Sequence, residues 1–131
     1  MMVKLVNIGA SYNMDQKRKE FCMEIVNLAV FNNVMNEWAT VKNGSHNKYA
    51  GWVFLWNNDD IDDPEKELYK VKPGDIDKSL DKICNNRDCN FSPEIESNVL
   101  YSNKYLDASL LEPDSINAIM QLASIGEVME V

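Results

Sequence analysis

Tyr49-Ala50-Gly51-Trp52-Val53-Phe54-Leu55-Trp56 is the stretch on which the fold turns. It is aromatic and β-branched and reads as a strand. Side chains alternate across a strand, so Trp52, Phe54 and Trp56 share one face and Val53 and Leu55 the other. Both faces are apolar, which predicts a central strand. A polar, glycine-containing loop over 42–48 precedes it, and an acidic segment over 57–67, broken by Pro64, follows.

Upstream, residues 3–8 are short, β-branched and apolar and end at Gly9, which predicts a strand and a turn. From Asp15 to about Trp38 the spacing predicts one long helix. Phe21, Ile25, Leu28 and Met35 recur at helical intervals, and Cys22, Val26, Ala29 and Val30 widen the stripe. Asn13 and Asp15 are cap candidates. Downstream, Lys72-Pro73-Gly74-Asp75 is a turn, followed by a short helix over 76–84 and a loop over 85–93. Residues 95–101 and 105–111 read as two strands around Ser102-Asn103-Lys104. Glu112-Pro113-Asp114-Ser115 opens a last helix that Gly126 ends, and 127–131 alternates as a final strand. The expectation is a single α+β domain over 1–131. Its small mixed or antiparallel sheet has four to five strands, packed with about three helices.

The chain has 131 residues, with 13 Lys+Arg against 21 Asp+Glu, a net charge of −8. Apolar residues make up 45%, enough for a folded core. The acidity argues against nucleic acid as the main partner and against an anionic membrane, and it favours a basic protein. Residues 1–58 carry a net +2 and residues 59–131 a net −10, so the acid begins at Asp59. Residues 1–10 are too short for a signal segment, and three cysteines do not suggest a secreted disulfide framework. The expected location is the cytoplasm, that of the host cell if a phage encodes the chain.

Three constellations bear on chemistry. Cys22, Cys84, Cys89 and His46 make a Cys₃His set on paper, but only Cys84 and Cys89 are near each other, and Cys22 falls on the apolar stripe. No metal and no cofactor are expected, and His46 reads as a solvated loop histidine. Lys17, Arg18 and Lys19 follow the Gly9-Ala10-Ser11 turn at a helix start, where an anion site is possible in principle. Lone glycines make this neither a P-loop nor a dinucleotide fingerprint, and pairing of the three with nearby acids is the preferred reading. Asp59, Asp60, Asp62, Asp63, Glu65 and Glu67 lack the glycine and closing glutamate of an EF-hand. They read either as a solvated loop or as an electrostatic docking surface for a basic groove. No catalytic constellation emerges, and no enzyme is expected.

The order of elements carries a resemblance. A short β-branched strand leads to a long helix opening Asp15-Gln16-Lys17-Arg18-Lys19. The aromatic strand then runs into Asn57-Asn58-Asp59-Asp60, and the chain closes with a helix, Gly126 and 127–131. This resembles the small phage-encoded anti-CRISPR proteins that inhibit compact type II-C Cas9 by binding its HNH nuclease domain. The chain is longer than that pattern between Asp60 and Ile95, and no binding residue carries over from it. The resemblance implies inhibition by occlusion of a nuclease, a partner that is basic where it holds DNA. The same electrostatics would serve an immunity protein against a bacterial nuclease toxin. A third class of function, a small phosphate- or nucleotide-binding enzyme, would use Ser11 with Lys17, Arg18 and Lys19.

Overall fold

Residues 15–85 and 91–128 are described by the structure, a computed structural model. Helix α1 (Gln16–Phe31) starts where expected, because the Asp15 carboxylate accepts the Arg18 N–H at 2.9 Å and satisfies a free amide of the first turn. It ends seven residues earlier than the periodicity suggests. Asn33 takes a left-handed φ of 54°, a conformation asparagine tolerates better than most residues, and the chain leaves the helix there. Met35 and Trp38 still reach the core, through an irregular turn rather than a helical face.

Three antiparallel strands, β1 (Ala39–Val41), β2 (Val53–Asn57) and β3 (Leu68–Val71), form a sheet in sequence order. β2 is central, as its two apolar faces predict. Leu55 stands between Val41 and Tyr69, and Val53 faces Val71, on the side that packs into the core. Phe54 faces Lys70, and Trp56 stands between Thr40 and Leu68, on the opposite side. The strand begins at Val53 and not at Tyr49 because the Asn47 carbonyl accepts both the Gly51 and Trp52 N–H groups and closes a turn. Gly51 is required there. Its φ is +69°, and a Cβ would lie 2.6 Å from the Met23 side chain of α1.

Helices α2 (Pro73–Cys84), α3 (Pro93–Tyr105) and α4 (Pro113–Ser124) each begin with proline, whose missing N–H costs nothing in a first turn. α3 corrects the reading of 95–101 and 105–111 as strands. Ser92 caps it by accepting the Ile95 N–H, and Ile95, Val99 and Ser102 are buried at spacings of four and three. Helical burial overrode the β-branched and aromatic character of the segment. After α3, Leu106 turns left-handed and residues 108–110 form a single 3₁₀ turn. Gly126, at φ +85°, follows the end of α4 as expected. Of the expected last strand, 127–128 are not in a strand and 129–131 lie outside the described residues, as does the strand expected over 3–8.

The protein is thus α+β. Among the described residues it has four helices and three strands, fewer strands than expected. α2 is the hub, touching α1, α3 and α4, while α4 also lies against β3. Ile25, Leu55, Ile76, Leu80, Ile83 and Ile119 are fully buried between these layers. Each such side chain contributes about 1.5–3 kcal/mol. The Ser79 hydroxyl donates to the Ile119 carbonyl at 2.7 Å, which satisfies a polar group inside the α2–α4 contact.

Candidate functional site

The acidic segment is an ordered projection between β2 and β3. The Asn57 side chain accepts the Asp59 N–H at 2.9 Å and opens a 3₁₀ turn over Asn58–Asp60. Backbone bonds from Ile61 to Asn58, Asp63 to Asp60 and Lys66 to Asp63 continue the chain of turns, and Asp63 accepts the Glu65 N–H at 2.9 Å. Asp59, Asp60, Asp62, Asp63, Glu65 and Glu67 are all exposed. None of the six forms an ion pair with a described residue. At the inner end of the loop, burial raises the Tyr69 phenol above its ordinary value, and the Glu67 and Asp60 carboxylates add to the effect, Glu67 also through a hydrogen bond. Both carboxylates therefore act on Tyr69, which faces Leu55 in the sheet.

The basic cluster divides. Arg18 is committed: its Nε lies 2.6 Å from Asp77 Oδ1 on α2, and its Nη1 donates to Asn103 Oδ1 on α3 at 2.7 Å. One guanidinium thus ties three helices, and of the three basic residues Arg18 is the one with an ion pair among the described residues. Lys17 and Lys19 are exposed beside it. At its partial exposure the ion pair contributes about 1 kcal/mol or less, so the apolar core, not this pair, holds the helices together.

On the face of the sheet away from the core, Phe54 and Trp56 of β2 and Trp52 just before it are half-buried. Lysine ammonium groups rest on them. Lys70 Nζ lies 3.7 Å from the Trp52 ring centre and 5.5 Å from that of Phe54, and Lys66 Nζ lies 5.1 Å from that of Trp56. Next to β1, the backbone N–H of Lys42 donates to the Phe54 carbonyl at 2.8 Å, which continues the register that sets Thr40 beside Trp56 and brings Lys42 level with Phe54. Of the three tryptophans, Trp38 is internal, with its Nε1 donating to Asn117 at 2.6 Å, whereas Trp52 and Trp56 belong to this outer face. The alternation of Trp52, Phe54 and Trp56 was visible in the sequence. The lysines opposite them depend on strand register, which it did not reveal.

His46 is a partly exposed loop histidine, but it is tied to α1. Its Nε2 is 2.8 Å from Asn27 Oδ1 on α1, and its ring meets Phe31 edge-on at 5.2 Å. Burial, then the nearby Lys48, lowers its pKa below the ordinary 6.5. Cys22 is buried in α1, and burial pushes its thiol up to about 12, overcoming the opposing effect of Arg18. Cys84 is half-buried with its thiol also raised, chiefly by burial. Among the described residues no three His, Cys, Asp or Glu side chains converge on a point that could hold a metal, and Cys89 lies outside them. No described helix is long and apolar enough to cross a membrane.

No family model, curated protein or solved structure matches the chain.

Proposed function

We propose that this chain is an acidic inhibitor that binds and blocks a nucleic-acid-cleaving enzyme through the 58–67 loop. The observation behind the reading is the loop itself: six exposed carboxylates on a backbone ordered by its own turns, none paired with a described cation. A nuclease holds its substrate in a positively charged groove, and a fixed array of carboxylates matches that field. Preformed loop geometry means little ordering is lost on binding, so more of the electrostatic attraction is retained as affinity. The inhibitor needs no catalytic group of its own. Its action is occlusion of the groove or of a conformational step. The resemblance to anti-CRISPR proteins makes the HNH domain of a compact Cas9 the first target to try, in the cytoplasm of an infected host. Nuclease toxins are the second.

The test is a cleavage assay on such nucleases, with and without the protein, beside association kinetics on the one it inhibits. Replacing Asp59, Asp60, Asp62 and Asp63 by Asn keeps the side-chain acceptor that Asp63 offers Glu65, so charge changes while the turns persist. Association should slow by about tenfold at low salt, and added salt should erase the difference. An inhibited nuclease whose association is indifferent to the four replacements and to salt would sink the loop as the docking element.

A further inference from the structure

We infer that the outer face of the sheet is a second binding surface, for single-stranded nucleic acid, adjoining the acidic loop, from which it takes Lys66 but none of the carboxylates. The face carries Phe54 and Trp56 of the central strand and Trp52 just before it, with Lys66 and Lys70 over the rings and Lys42 level with Phe54 on the β1 side. Flat rings in a row with ammonium groups beside them are the two components a single strand requires: stacking surfaces for bases and cations for phosphates. The rings already accept a positive group on their faces, since Lys70 and Lys66 lie over them. A base stacked on a ring is worth more than an exposed ammonium there, so the bases displace the lysines from the rings and free them to meet the backbone phosphates.

Charge complementarity selects this occupant although the whole chain is acidic. Strand register separates the two sides: Lys70 faces Phe54 on the ring side, where Lys66 lies over Trp56, whereas Tyr69, the group on which the Glu67 and Asp60 carboxylates act, faces Leu55 on the core side. A shallow cleft of about 500 Å³ opens at the end of the ring row, lined by Trp52, Tyr49, Lys48 and His46, and offers room for a further base. An acidic peptide would find the lysines but would leave three aromatic faces without flat partners, so the single strand fits better.

The probe is a fluorescently labelled oligothymidylate of about 15 nucleotides, titrated by anisotropy and by tryptophan emission at low salt. Binding should quench the tryptophans, and unlabelled duplex should compete weakly because its bases are not free to stack. Lys42→Glu with Lys70→Glu, both at exposed positions, should weaken binding more than tenfold and reduce the salt slope by about 1.4, two phosphates' worth. Trp56→Ala should weaken it by about tenfold, with the urea midpoint measured alongside to account for any loss of fold. Neutralising Asp59, Asp60, Asp62 and Asp63 should leave oligonucleotide binding intact or tighten it, which separates this surface from the protein-binding loop. The inference is overturned by absence of quenching at low salt, or by a lysine double variant that binds like the parent chain. It is equally overturned if a polyglutamate peptide outcompetes the oligonucleotide, or if the face is buried in a dimer that the lysine variant disperses.

Discussion

Asn27 holds His46: its Oδ1 meets the imidazole Nε2 at 2.8 Å while its Nδ2 donates to the Lys48 carbonyl at 3.0 Å. Because the amide nitrogen faces a carbonyl, the amide oxygen faces the ring, and Nε2 is the nitrogen that carries the proton. One side chain of α1 thereby fixes the connection between β1 and β2. That connection leads directly into Trp52, so the geometry of the outer ring row depends on a contact with the first helix.

Stability should therefore fall as the solution turns mildly acid. His46 is harder to protonate in the folded chain than in the unfolded one, because it is partly buried and near Lys48. Its contribution is complete above the unfolded value of about 6.5 and is lost as the pH falls through that value to the lower folded one. Urea midpoints at neutral and mildly acid pH, for the parent and for His46→Gln, isolate this histidine from the carboxylates. The difference between the two proteins should shift with pH in the direction that favours the variant under acid. Asn27→Asp would set a carboxylate against the ring, favour the imidazolium, and reverse the trend.

Gly51 and Gly44 make a controlled pair. Both have positive φ, but an added Cβ at Gly51 meets Met23 at 2.6 Å and at Gly44 meets nothing. Gly44→Ala should cost only the left-handed strain, about 1–2 kcal/mol. Gly51→Ala adds overpacking against α1 and should cost about 3 kcal/mol or more. Thermal melts distinguish the two. Equal losses would mean that the approach of the turn to α1 is not tight.

Replacing Arg18 tests how α1 is held to α2 and α3. Lysine keeps the charge but cannot serve Asp77 and Asn103 from one planar fork. Arg18→Lys and Arg18→Ala should therefore lose similar amounts, about 1 kcal/mol, a few degrees in melting temperature. A lysine variant as stable as the parent would show that only the charge matters.

The sequence disclosed the central strand, the start of α1 and the end of α4, because each rests on local signals: two apolar faces, the Asp15 cap, and Gly126. It misled at α3. There Ser92-Pro93-Glu94 is a helix opening, but the run Val99-Leu100-Tyr101 draws the eye toward a strand. The end of α1 was hidden because Met35 and Trp38 continue the apolar period after the backbone has left the helix. The acidic loop was plain as a charge run, since charge needs no tertiary context. The pairing of Phe54 with Lys70 and the tie between Asn27 and His46 were not, since both depend on how distant segments align. Arg18 lay among the candidate anion ligands, and only the approach of Asp77 from α2 assigns it a structural partner.

Cys22 offers a reading of global unfolding. The thiolate is the reactive form, and burial in α1 holds the thiol near 12 and away from solvent. Alkylation with iodoacetamide at mildly alkaline pH, followed by peptide mapping, should leave Cys22 unmodified in the native protein. Cys84, half-buried, should react slowly but measurably sooner. Because Cys22 packs where α1 meets the core, its modification should track the fraction unfolded in urea, with the same midpoint as circular dichroism. Labelling of Cys22 well before that midpoint would mean that α1 detaches by itself, and the tie from Arg18 to Asp77 and Asn103 would then be too weak to hold it.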